Sequence, residues 1–188
     1  MKRESHKILG HYLMQQLQVA PAYRHRKAFL FGCTEPDSNP FTYLKGSRTI
    51  QWLRGHNYRN AERLMARLSA SLSRRERWGM LDYYRLGKLI HYTSDAFTYA
   101  HNETFRENIH EHRCYEARLQ RCFKTSLALA WGERERRQHA REAVFAAVRE
   151  AHASYMDTDR SVRTDVEYIL RMTEQVFCGL VPEPIKAA

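Results

Sequence analysis

Histidine and carboxylate side chains at helical spacing are the residues of this sequence best suited to chemistry. His91 precedes Asp95 by four residues, and His112 precedes Glu116 by four. Residues four apart lie on one face of an α-helix, so each pair offers two ligands to a single cation. His101 follows Asp95 by six residues and adds a third imidazole near the same helix end.

The faces that carry these ligands are otherwise mainly apolar. His112 and Glu116 share a stripe, at steps of three and four, with Phe105, Ile109, Leu119, Phe123 and Leu127. His6 shares a similar stripe with Leu9, Leu13 and Leu17. Burying a carboxylate costs several kcal/mol unless it is paired or bound to a cation. The pattern therefore indicates a divalent metal site, although ordinary side-chain pairs on a helix produce the same spacing.

The elements that must position these side chains are predicted to be helices. The chain has 188 residues, of which 43% are hydrophobic and 12% aromatic, enough for one packed core. Periodicity predicts helices over about 5–19, 22–31, 58–72, 73–99, 105–130, 133–155 and 159–178. Ser5 is expected to cap the first, and Ser73 with Glu76 has the spacing of a capping box.

One long segment interrupts this helical pattern. Residues 31–57 contain three glycines and two prolines, and we expect them to form an irregular loop. The fold class is predicted to be all-α, a single helical domain over 1–180 followed by a loose tail over 181–188. In the charged helix predicted over 133–155, His139 and His152 are interpreted as solvated surface.

Charge and targeting signals limit the partners. The formal net charge is +10, which favours phosphates, nucleic acid or an anionic membrane surface. No stretch approaches the roughly 20 apolar residues of a membrane-spanning helix. Since the start of the chain has no apolar signal-peptide core, we expect a cytoplasmic protein with any membrane contact peripheral.

The same histidine and carboxylate residues resemble the motifs of a known family. The segment LGKLIHYTSDAFTYAH, residues 86–101, resembles the signature of bacterial zinc-dependent phospholipases C, in which a helix carries H-x-x-x-D and a further His follows. HRCYE at 112–116 matches the family's next motif, H-x-x-x-E. Upstream matches are the Ser-His at Ser5 and His6, Asp37 in PDSNP and His56 in GHNY. Fungal single-strand-specific nucleases resemble the same pattern and fold.

The resemblance implies a cluster of three zinc ions. The first ion would be held by Asp37, His56, His91 and Asp95. The second would be held by His101, His112 and Glu116. The third would be held by His6, a bridging Asp95 and backbone groups of the N-terminal residue. The family has a Trp at that terminus and this sequence does not, so either the Met1 amino group substitutes or the third ion is weakly held.

The activity implied is that of a metal-dependent phosphoric ester hydrolase, with phospholipid cleaved by metal-activated water. Asp37 is the candidate general base as well as a ligand, although Asp before Ser-Asn-Pro is also good turn chemistry. Two alternatives remain: a nuclease or nucleotidase on the same scaffold, and a non-enzymatic basic helical module that binds nucleic acid or membrane. Structural zinc sites are closed by four protein ligands, whereas seven or eight ligands for up to three ions leave positions open, which favours catalysis.

Overall fold

The structure, a computed structural model, describes residues 1–17, 20–39, 58–102, 109–129, 141–159 and 161–182. These ranges contain α1 (Arg3–Gln15), α2 (Tyr23–Ser38), α3 (Tyr58–Ser73), α4 (Met80–Ala96), α5 (Ile109–Leu129), α6 (Val144–Met156) and α7 (Val162–Leu180). Short 3₁₀ segments cover Tyr99–His101 and Arg141–Ala143, and no strand occurs within the same ranges. The all-α prediction is confirmed. None of the helices described is long and apolar enough to cross a bilayer.

Helix α4 is the centre of the fold. Every residue from Leu89 to Ala96 is buried, and α1, α2, α3 and α7 all pack against this helix. A helix that is buried on all sides needs neighbours on all sides. His91 and Asp95 therefore lie in the interior, away from solvent.

Helices α2 and α4 run side by side in the same direction. His25 of α2 stacks on Tyr83 near the start of α4, with ring centroids 4.9 Å apart. Farther along, two glycines let the backbones touch. A Cβ atom on Gly87 would collide with the carbonyl oxygen of Phe29, and a Cβ atom on Gly32 would meet the backbone of α4. This close approach brings the last turn of α2 beside the second half of α4.

Helix α2 continues to Ser38, which corrects the prediction that an irregular loop begins near residue 31. Pro36 lies inside the helix, where proline removes one backbone hydrogen bond and crowds the carbonyl four residues earlier. The helix persists because Phe29, Cys33 and Pro36 are buried in the packed fold. As a result, Asp37 projects from the last turn of a helix and not from a loop.

The rest of that predicted loop, residues 40–57, lies outside the described residues and includes His56. The same is true of residues 130–140, with His139, and of residues 183–188 in the predicted tail. Helix α7 ends at Leu180. The division into one domain over 1–180 and a tail over 181–188 stays a prediction.

The first helix follows its predicted stripe but begins earlier than expected. Helix α1 starts at Arg3, and Ser5 is buried inside it instead of capping it. The stripe side chains His6, Leu9 and Leu13 are all buried. Helix α7 is capped by Ser161, whose hydroxyl accepts the Thr164 N–H at 3.0 Å, and its inner face is buried at Val166, Ile169, Thr173 and Val176.

The capping box predicted at Ser73 is wrong. Ser73 is the last residue of α3, and α4 begins only at Met80. The intervening residues 74–77 are all exposed and have no apolar side chain to bury, so packing does not continue the helix through them. The start of α4 is instead satisfied by Asp82, whose Oδ2 accepts the Gly79 N–H at 3.0 Å.

Candidate metal centre

Four side chains from three helices form a first ligand group, defined as His6 of α1, Asp37 of α2, and His91 and Asp95 of α4. One possible ligand atom from each lies within 4.8 Å of the others. Asp95 approaches both imidazoles, with Oδ1 3.3 Å from His6 Nε2 and Oδ2 3.2 Å from His91 Nε2. Asp37 lies farther out, 3.8 Å from His6 Nε2 and 3.7 Å from His91 Nε2. His6, His91 and Asp95 are at most 1% exposed.

A backbone contact fixes the proton on the inner ring nitrogen of His91. Its Nδ1 lies 2.9 Å from the carbonyl oxygen of Cys33. A carbonyl only accepts hydrogen bonds, so Nδ1 carries the hydrogen and donates it. In the neutral ring, Nε2 then points a lone pair at Asp37 and Asp95. Orientation of a ligand imidazole by a carbonyl on its other nitrogen is usual at metal sites.

The Ser94 hydroxyl likewise fixes the proton of His6 on Nδ1. The Ser94 hydroxyl donates to the His91 carbonyl at 2.8 Å, so its oxygen is left to accept from His6 Nδ1 at 3.1 Å. The Nε2 atom of His6 therefore has a lone pair and no hydrogen in the neutral ring. This atom is buried and makes no hydrogen bond within the described part of the chain.

The electrostatics of the first group favour a bound cation. Burial and the neighbouring His91 hold the pKa of His6 well below 6.5, so this ring stays neutral. Burial opposes protonation of His91 too, but the Asp95 and Asp37 carboxylates outweigh it and raise the pKa of His91. Burial likewise disfavours the charged form of Asp95, yet surrounding imidazoles and the N-terminal ammonium hold its pKa well below 3.8. A divalent cation would take the place of the proton that these carboxylates draw onto His91 Nε2.

A second ligand group, defined as His101, His112 and Glu116, lies across Asp95 from the first. His101 belongs to the 3₁₀ segment, and the other two belong to α5. Glu116 Oε1 lies 3.7 Å from His101 Nε2 and 3.5 Å from His112 Nε2. The side chains of His101, His112 and Glu116 are 14%, 34% and 16% exposed. The second group is therefore open to solvent on one side.

The amino group of Met1 lies at the junction of the two groups. It donates to Asp95 Oδ1 at 2.6 Å, lies 3.0 Å from His101 Nε2 and is 3.6 Å from Glu116 Oε1. Burial disfavours its charge, but the carboxylates of Asp95 and Glu116 outweigh burial and raise the pKa of this amine. The ammonium is thus a cation held where carboxylate and imidazole atoms converge. That is the environment in which the same donors bind a divalent metal.

The position of His101 depends on a turn that buried polar contacts hold in place. Asn102 Nδ2 donates to the carbonyls of Ala96 and Thr98, both at 3.0 Å. Asn102 Oδ1 lies 3.0 Å from His152 Nε2, so the imidazole of α6 supports the turn from behind. Because His101 is the residue before Asn102, these contacts also fix the position of His101.

His152 corrects the prediction of a solvated surface residue. It is 8% exposed and stacks on Tyr58, with ring centroids 3.5 Å apart. Burial lowers its pKa to about 4. The prediction failed because the charged segment before α6 suggested a surface helix, whereas one face of α6 packs into the fold.

Seven of the eight predicted ligands are thus brought together, and His56 lies outside the described residues. The structure places His6 beside Asp37, His91 and Asp95; its assignment to a third ion stays a prediction. Sequence reasoning missed Ser94 and the Cys33 carbonyl. Ser94 is three residues after His91 and so shares its helix face, but nothing in its type distinguishes it from any buried serine.

Comparison with protein-family models identifies the family of this chain. The family model for zinc-dependent phospholipase C matches residues 5–162, which contain His6 and every other candidate ligand side chain. No match was found among curated proteins or among solved structures. Because the matched segment covers most of the sequence and both ligand groups, the chain belongs to the zinc-dependent phospholipase C family.

Proposed function

We propose that this protein is a metal-dependent phosphoric ester hydrolase that cleaves a phospholipid between glycerol and phosphate. The observation that carries the proposal is a buried ligand group directly beside an open one. Asp95 Oδ2 of the first group lies 3.8 Å from His101 Nδ1 of the second. A buried group holds a cation firmly, whereas an open group leaves coordination positions for substrate and water. Membership of the family supports a zinc-dependent activity of the phospholipase C type.

Zinc fits the donor set, which contains imidazole nitrogens and carboxylate oxygens but no thiolate. We propose two or three ions. The first would be held by Asp37, His56, His91 and Asp95, and the second by His101, His112 and Glu116. The third would be held by His6, Asp95 and backbone groups of Met1. When bound, zinc supplies a water molecule that ionises near neutral pH and positive charge that stabilises the transition state of phosphoester cleavage.

Asp37 is the proposed general base. Its side chain is 15% exposed, whereas Asp95 is fully buried, so Asp37 is the carboxylate of the first group that solvent reaches. Its oxygens lie 3.7 and 3.8 Å from His91 and His6, which hold it at the edge of the group. From there Asp37 would accept the proton of an attacking water.

The chain's charge supports a second candidate. A net charge of +10 suits nucleic acid as well as an anionic lipid surface. A nuclease or nucleotidase on the same scaffold would use the same ligands and the same base. Its substrate would differ in what lies beyond the phosphate.

The proposal includes the predicted cytoplasmic location of the protein.

The test offers three substrates side by side to the zinc-loaded protein at two salt concentrations: anionic phospholipid vesicles, single-stranded DNA and a chromogenic phosphodiester. Release of diacylglycerol from the vesicles is the expected result. Salt should weaken attraction to either charged polymer and affect the small ester less. Asp95→Asn protein, purified identically, controls for contaminating hydrolases.

Two results would overturn the phospholipase proposal. Rapid digestion of DNA with intact lipid would favour the nuclease. Hydrolysis of none of the three by protein with verified zinc content would instead leave a basic helical module that binds nucleic acid or membrane, with structural metal.

A further inference from the structure

A concave site lies outside the metal centre, between α5 and the start of α7. Its volume is about 660 Å³, and its lining includes Tyr99, Tyr115, Arg118, Arg121, Ser161 and Arg163. Neither ligand group contributes a side chain to this lining. The cavity nevertheless shares two elements with the metal centre, because Tyr99 is in the 3₁₀ segment of His101 and Tyr115 precedes Glu116 in α5.

The arginines that line this cavity give it positive charge, which the acidic residues that the structure describes do not neutralise. Arg118 and Arg121 are exposed, and neither forms an ion pair with any residue that the structure describes. Arg163 pairs with Glu167 at 3.0 Å, but both side chains are largely exposed, which makes that pair weak. Two guanidinium groups on one turn of a helix, facing a cavity, favour an anion with several oxygen acceptors.

The walls of the cavity are held by contacts behind it. Asp165, in the first turn of α7, accepts the Tyr99 N–H at 2.9 Å and the Tyr155 hydroxyl at 2.7 Å. These bonds tie the 3₁₀ segment and α6 to the start of α7. The rings of Tyr99 and Tyr115 then meet edge to face, with centroids 5.9 Å apart. The site is therefore formed before any ligand arrives.

We propose that this cavity binds the phosphate group of an anionic phospholipid and holds the protein on the bilayer. The exposed arginines supply paired donors to phosphate oxygens, and Tyr99, which is partly exposed beside them, is a residue type enriched at the boundary between headgroups and acyl chains. The choice of a lipid over free phosphate rests on the proposed function. Binding here would be separate from hydrolysis at the metal centre.

The experiment measures cosedimentation of the zinc-loaded protein with vesicles of a phosphonate analogue of phosphatidylcholine, with or without the phosphonate analogue of phosphatidylglycerol. Both analogues resist hydrolysis, so binding is measured whether or not the protein is a phospholipase. Arg118→Gln with Arg121→Gln is expected to weaken binding to the anionic vesicles about 20-fold, since each basic residue near a membrane contributes on the order of fivefold. Arg118→Lys with Arg121→Lys should recover part of that loss, because charge remains without the paired donors.

The matched control is Arg63→Gln with Arg67→Gln, which removes the same charge from two exposed positions of α3. It should change binding less than about twofold. An equal loss in both double variants would overturn the proposal in favour of general charge attraction. Vesicle binding that survives in Arg118→Gln/Arg121→Gln also overturns it. If inorganic phosphate binding, measured by calorimetry, is lost while vesicle binding survives, the cavity is a free-phosphate site. Thermal unfolding of each variant verifies the fold.

Discussion

The two ligand groups differ most in how they meet solvent. In the first group, His6, His91 and Asp95 come from tightly packed helices and are at most 1% exposed. In the second group, the His112 side chain is 34% exposed. His112 lies on α5, whereas His101 comes from a short 3₁₀ segment. A buried carboxylate needs a permanent cation, whereas an exposed one is solvated without it. The comparison suggests that the first group supports the fold and the second gives substrate access.

The strongest way to break this comparison is to replace Asp95, the residue of the first group that also contacts His101 of the second. Asp95→Asn should deplete metal from both groups, because the bound cations lose a buried carboxylate that balances their charge. Turnover should fall by more than about 10⁴-fold, because the reaction depends on the metal. Elemental analysis and phosphodiester hydrolysis measure the two effects.

Asp165→Asn is the matched control, since Asp165 is equally buried and lies outside both ligand groups. It should keep the metal of the first group. If Asp95→Asn retains both metals, Asp95 does not join the groups.

The next test separates base from ligand within the first group. Asp37→Asn should lower turnover by about 10²–10⁴-fold, the usual contribution of a general base, while the second group keeps its ion. Single-turnover kinetics and metal content give the two measurements. The control is Glu35→Gln in the same helix, whose carboxylate pairs with Lys88 at 3.3 Å and should matter little for turnover. Near-native turnover of Asp37→Asn would return Asp37 to a structural role.

Stability provides a third comparison between the groups. Zinc in excess over its Kd should stabilise the native protein by roughly 3–4 kcal/mol relative to chelated protein. His91→Ala, which alters the buried group, should remove most of that gain, whereas His112→Ala should remove less. Denaturation with and without chelator measures both. Equal losses in the two variants would contradict the division into a structural and an open group.

The smallest expected effect concerns His152, which contacts Asn102 next to His101. The pKa of His152 is about 4 in the fold, against 6.5 for an ordinary histidine. The unfolded chain therefore gains a proton below pH 6.5 that the folded chain refuses until about pH 4. Stability that depends on neutral His152 is present above 6.5 and is lost as pH falls through this range, by at most about 3 kcal/mol.

His152→Gln should accordingly flatten the acid side of the stability profile, measured by denaturant unfolding of chelated protein. Asp165 titrates in the opposite sense, because burial raises its pKa to about 7. It is present in both proteins, so it cancels in the comparison. Identical slopes for wild type and variant would mean that His152 is not held neutral.

Much of the centre could be predicted because its ligands are local pairs. His91 with Asp95, and His112 with Glu116, are one helical turn apart, and the backbone period alone places both members of each pair on one face. The same period predicted the buried stripe of α1. Where a helix ends was less predictable. Pro36 did not stop α2, because packing against α4 outweighed a local rule.

What the amino-acid order settles is the geometry inside each helix, since hydrogen bonds between near neighbours fix it. How one helix meets another depends on close packing and desolvation, which act between residues far apart in sequence. The contact of Gly32 with Gly87 brings Asp37 to His91. Tertiary packing also aims the Cys33 carbonyl and Ser94 at the two imidazoles and so selects their tautomers. A metal centre assembled from several helices is therefore visible in sequence as ligand types, but its protons and its exposure are set by the fold.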